Sequence, residues 1–137
     1  MTDMYEEQAA RERRASIARI ERAMDDERAE QRRRMGILDS VASDIGQYRT
    51  EYQNRMQNMG SAVMEISRHD LPDGADDPMV EATHTINRFE DEGQRVANAA
   101  LQRIEEIREN LDRAHRQHMR DLEDEMEATG KGDGDRG

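Results

Sequence analysis

Four histidines and twenty arginines are the residues of this chain whose types and spacing could do chemistry. "EATH" (81–84) and "DRAH" (112–115) each set a carboxylate three residues before a histidine, the spacing by which helical di-metal sites present their ligands. The two motifs lie 31 residues apart. On one helix that is roughly 45 Å, so they cannot share an ion. "HRQH" (115–118), with Asp112 and Asp121 a turn away, could make a weak two-histidine site. The alternative is that these are polar residues flanking the end of a helical seam. A structural zinc site needs a closed set of four ligands, and none is written here. The expectation is no metal and no cofactor.

The arginines crowd into the first quarter of the chain. "RERR" (11–14) and "QRRRM" (31–35) belong to a segment, 11–34, with nine Arg against six Asp or Glu. Arg32, Arg33 and Arg34 are the candidate anion-binding residues, for phosphate on nucleic acid or a lipid headgroup. No aromatic residue interleaves with them, so they offer no surface on which bases would stack. The competing expectation is pairing inside the fold, with the acidic run "DLEDEME" (121–127) as partner. Nothing else resembles catalytic machinery. There is no glycine-rich phosphate loop, GxSxG, HExxH or cysteine. A bare pair of helices also promises no concave pocket to exclude water. No enzyme and no small-molecule substrate are expected.

These residues must be carried by helices. Of 137 residues, 34% are hydrophobic and 39% charged, with one Phe and no Trp. Such a chain is either disordered or built from long helices with solvated faces. Ala, Glu, Arg, Gln and Met are abundant, and they favour helix. The net charge of −11 disfavours whole-surface attraction to nucleic acid or anionic lipid. The absence of cysteine fits a reducing compartment. No signal peptide is visible, and no stretch approaches the ~20 apolar residues of a membrane span. Location in the cytoplasm is the expectation. Lys131 is the only lysine, a bias that a GC-rich genome or a saline cytoplasm would each produce.

Both prolines fall in "HDLPDGADDPM" (69–79). Before it, Leu38, Val41, Ile45, Tyr48, Tyr52, Met56, Met59, Val63 and Ile66 recur in steps of three or four, as one helical face. After it, Thr83, Ile86, Phe89, Gly93, Val96/Ala97, Ala100/Leu101, Ile104, Ile107 and Leu111 do the same. Folding the chain about residues 74 and 75 pairs positions that sum to about 149. Leu38 then meets Leu111, Ile45 meets Ile104, Val63 meets Ile86, Tyr52 meets Ala97 and Met56 meets Gly93, with Met59 near Phe89. Large faces small, as knobs need holes.

The predicted fold is therefore all-α, a long antiparallel helical hairpin of coiled-coil type. A single domain spans 1–128, with helix one over about 4–70, a loop over 71–77 and helix two over about 78–128. A flexible Gly-rich tail follows over 129–137. Pro72 stops the first helix, Asp73-Gly74 turns, and Asp77 caps a second helix opened by Pro78. The acidic Asp76, Asp77 and Glu81 suit the positive end of that helix. "RRRMG" ending at Gly36 resembles a helix C-terminus. A continuous helix there costs only ~1 kcal/mol relative to Ala, so continuity is expected, with three helices as the alternative.

A two-helix seam buries one stripe per helix, while most helical stability comes from packing. A partner or a second copy, completing a four-helix bundle, is therefore expected. Ile17, Ile20, Met24, Met119, Leu122 and Met126, toward the open end, are the candidate partner-binding residues. Residues 4–20 would overhang helix two and leave Ile17 and Ile20 uncovered. Flexible methionines suit adaptable helix-binding surfaces, though they serve equally to extend the intrachain seam. The expected function is helix-to-helix interaction, as an adaptor, assembly factor or structural subunit. Nucleic-acid or anionic-surface binding through the arginine segment is the alternative.

In outline this hairpin is similar to the stalk proteins of flagellar and type III secretion ATPases, whose character "QYRTEYQNRM" (47–56) shares. It is similar also to the small helical partners of type VII secretion substrates. The Trp-x-Gly turn of that second group is replaced here by Pro-Asp-Gly. The resemblance is one of shape, implies a small helical component of a secretion apparatus, and carries no residue roles over.

Overall fold

A computed structural model describes residues 2–69 and 78–134. The described chain is all α-helix: α1, Thr2–His69, and α2, Pro78–Gly134, which pack against each other as a helical hairpin. Pro78 opens α2, where its fixed φ and missing N–H cost nothing. Pro72, the Asp73-Gly74 turn, Asp76 and the Asp77 cap lie outside the described residues.

α1 runs unbroken through Gly36, so there are two helices and not three. A Cβ at Gly36 would meet nothing within 4 Å, and the helix carries the glycine at its ordinary cost. α2 continues to Gly134, past the expected end at 128. Met126 and Thr129 are half-buried there, and the Thr129 hydroxyl donates to the Glu125 carbonyl at 2.9 Å. That packing carries the helix through Gly130, so residues 129–134 are helical where a tail was expected. Where a single domain over 1–128 was expected, contacts gather into two compact units that each draw on both helices. Unit 1 is Met1–Ile37 with Ile107–Gly137, and unit 2 is Leu38–Glu106.

In unit 2, Ile86 and Ile104 are buried, while Leu38, Ile45, Tyr52, Met56, Val63, Gly93 and Ala97 are half-buried. The register differs from the expected one. The Tyr52 ring rests on Gly93, where a Cβ would overlap it. The Tyr52 hydroxyl donates to the Phe89 carbonyl at 2.9 Å. Arg49 Nη1 donates to Asn98 Oδ1 at 2.8 Å and Gln94 Nε2 to Gln53 Oε1 at 3.2 Å. The Tyr52 ring thus sits against Gly93, four residues from the Ala97 expected opposite it, while the Arg49–Asn98 and Gln53–Gln94 pairs lie about two residues from the expected level. The cause is steric: an aromatic ring packs closest on a facing position without a side chain. Phe89 is 53% exposed.

In unit 1 the end of the expected overhang is covered, while Met4 and Tyr5 at its start are 76% and 77% exposed. Ile20 is the most buried of the core residues, at 3% exposure, and Met24 is buried with it. Ile17, Leu111, Met119, Leu122 and Met126 are half-buried. Of the open-end residues, Ile20 and Met24 thus belong to the seam, and the other four are half-covered. The same seam holds polar groups. Gln31 is buried, and Glu27 lies 3.1 Å from His115 Nδ1, their side chains 15% and 18% exposed.

Two glycines should respond in opposite directions to alanine. Gly36→Ala, in open space, should stabilise by about 0.5–1 kcal/mol through helix propensity and a less free unfolded chain. Gly93→Ala should destabilise by about 1–3 kcal/mol by driving the Tyr52 ring from its seat. Urea unfolding followed by circular dichroism measures both.

Candidate functional site

The Tyr52–Gly93 contact has a consequence on the surface of unit 2. A bare helix pair was expected to carry no concavity, but seating the ring on the glycine brings α1 and α2 together around an open groove. Its volume is about 610 Å³, with apolar walls from Ile45, Tyr48, Tyr52, Phe89, Val96 and Ala100. A second depression of about 740 Å³ shares Tyr52 and Phe89 and runs on along Met56, Met59, Ala82 and Thr85. At helical spacing these residues fall on one side of each helix. Tyr48 is 71% exposed and Val96 64%, so the groove is lined by apolar side chains left in water. The exposed Glu51, Arg55 and Glu92 border it. Three of the four aromatic residues of the chain, Tyr48, Tyr52 and Phe89, converge here. Periodicity placed Tyr52 and Phe89 in one seam. The signal that separates them is Gly93, the small residue facing a tyrosine.

Arg33 and Arg34 are paired within their own helix. Arg33 Nη2 lies 2.6 Å and Arg34 Nε 3.2 Å from the same oxygen of Glu30. The Arg33 hydrogen bond holds the Glu30 carboxyl below its ordinary range, and Arg34 adds to it. The same bond raises the Arg33 guanidinium. Arg32 is exposed. The partner of Arg33 and Arg34 is thus Glu30, one turn away. Arg28–Asp25, Arg103–Glu106 and Arg116–Asp112 are likewise pairs three or four residues apart, each worth a few tenths of a kcal/mol. A carboxyl with a depressed pKa contributes above its unfolded pKa and loses that contribution as pH falls through the folded value. Glu30→Gln should therefore lower thermal stability slightly at neutral pH, and the difference from wild type should vanish in acid, as melting curves across that range will report.

Among the described side chains, the histidines do not come together. His84 and His118 are exposed, and His115 is taken up by Glu27 across the unit 1 seam. Among the described residues no group of three or more His, Asp or Glu side chains could hold a metal ion. The "HRQH" motif is thereby split, one histidine in the seam and one in water. Sequence reading had set both beside the seam. It missed Glu27 as the partner because a carboxylate at a core position breaks the apolar pattern used to find the seam. Removing either partner leaves the other's polar group partly buried and unsatisfied. Glu27→Leu or His115→Leu alone should therefore destabilise by about 1–2 kcal/mol. The double variant should be neutral or more stable than wild type, and a double-mutant cycle by urea unfolding tests the pair.

Among the described residues, no helix is long and apolar enough to cross a membrane. No family model, no curated protein and no solved structure matches this chain.

Proposed function

We propose that the chain is a non-enzymatic helical interaction protein, an adaptor, assembly factor or structural subunit, that docks another helical surface on the groove of unit 2. The observation that supports this most is the meeting of three of its four aromatic side chains in that groove, with Tyr48 and Phe89 largely in water. Large rigid aromatics surrounded by a charged border are the residues that dominate binding energy when covered. An amphipathic helix laid along such a groove buries its apolar face there.

The groove replaces the open end as the docking surface, because Ile20 and Met24 are already buried within unit 1. Arginine-mediated anion binding has weaker support. Two of the three candidate arginines already hold a carboxylate, and an anion would have to displace it.

Affinity capture from the native lysate at its own ionic strength separates the readings when wild type is run beside two variants. Val96→Asp, at an exposed groove position, should abolish capture of the bound protein. Replacing Arg32, Arg33 and Arg34 together by Gln should leave it intact. The opposite pattern, with nuclease-sensitive material lost from the arginine variant and a steep salt dependence, would replace docking by anion binding.

A further inference from the structure

We propose that the occupant of the unit 2 groove is a second copy of this chain, joined about a two-fold axis that runs along the helices. This rests on the docking reading above and names the partner. The argument is from charge, level and area.

A two-fold interface must be complementary to itself, since the same patch is used twice. Tyr52 on Gly93, Arg49 on Asn98 and Gln53 on Gln94 set the level of the two helices, so positions facing across unit 2 sum to about 145–147. A two-fold axis along the helices places α1 of one copy over α2 of the other at the same level. Tyr48 then covers the partner's Val96, and Ile45 covers the partner's Ala100. Arg55 stands within two residues, about 3 Å of helix rise, of level with the partner's Glu92. Each of these contacts occurs twice, and both charge pairs are attractive.

The other face-to-face arrangement, with the axis across the helices, stacks α1 on α1. Centred on Tyr52, it sets Arg49 near the partner's Arg55 and sets Glu92 opposite the partner's Gln94, away from Arg55. The charges on the border therefore select the first arrangement. Antiparallel helices on both faces then make a four-helix bundle.

The area is sufficient. The two depressions run from residue 81 to 100 on α2, about 29 Å of helix, and a pair of helices is about 20 Å wide. Covering that face removes about 600 Å² from each copy, so about 1,200 Å² in all, the lower bound of a specific interface. A single foreign helix would cover about half of it. Because each chain carries a net charge of −11, association is opposed at low salt and must be measured at physiological ionic strength or above.

The test is the solution mass of the full chain by sedimentation equilibrium over a range of concentrations. The expected mass is twice that of the 15.9 kDa chain, and Val96→Asp should return it to a single chain with helicity by circular dichroism unchanged. Arg55→Glu alone and Glu92→Arg alone should each raise the dissociation constant about tenfold, by turning two attractions into two repulsions. Mixed together, the two variants should dimerise as wild type does, since each then meets its opposite charge. A single-chain mass for wild type at every concentration overturns the proposal. So does a dimer indifferent to Val96→Asp, or a mixture that fails to recover. A wild-type monomer that still captures a protein through Val96 would refute the second copy while leaving docking in place.

Discussion

The Tyr52 ring resting on Gly93 sets the level at which the helices of unit 2 meet, and the rest of that unit follows from it. Helix–helix packing is discrete, because ridges on one helix must enter grooves on the other. A register is therefore chosen in steps, not adjusted continuously. Once the ring takes the glycine, its hydroxyl reaches the Phe89 carbonyl, and Arg49 and Gln53 find Asn98 and Gln94. Phe89 is left pointing outward beside Tyr48 and Val96. One contact thus decides both what the hairpin buries and what it presents.

Unit 1 solves the same problem with different residues. Its core is Ile20 and Met24 followed by Glu27 and Gln31, with His115 facing Glu27. Polar groups at core positions contribute less stability than apolar ones, and their best-attested use in paired helices is to specify register. A Glu–His contact has one satisfied alignment, whereas methionine and isoleucine pack acceptably in several. Unit 2 sets an aromatic anchor beside its polar pairs Arg49–Asn98 and Gln53–Gln94, whereas unit 1 aligns through Glu27 and His115 without one.

The hairpin itself was legible because helical periodicity is a local property, visible in the steps of three and four on either side of the proline-containing segment. Register was not, because it depends on a comparison between distant positions. Tyr52 opposite Ala97 and Tyr52 opposite Gly93 both place a large residue on a small one. Only the difference of one methyl group separates them, and a sum of paired positions does not weigh it. The extension of α2 to Gly134 was hidden for a related reason. Glycines at 130, 132 and 134 lower local helix propensity, while the half-buried Met126 and Thr129 act through packing that composition does not record. Glu27 escaped because acidic residues were read as solvated, which is correct for Asp25 and Asp26 beside it.

The groove is not what a helical hairpin must expose. Residues level with the seam have to be apolar, but Phe89 and Val96 point away from it, and alanine, glutamate or arginine would serve a solvated helix face better on propensity alone. Charged residues elsewhere pair along the helices at three- and four-residue spacing, and other exposed apolar residues such as Met4, Ile37 and Val80 lie outside this groove. Tyr48, Phe89 and Val96 depart from that preference together and on one side. They add little to the stability of the unit, being more than half exposed. In water their apolar area carries a solvation cost that only covering removes. A cause for these residues inside the hairpin is thus lacking, and one outside it, a surface that covers them, supplies what the packing of two helices does not.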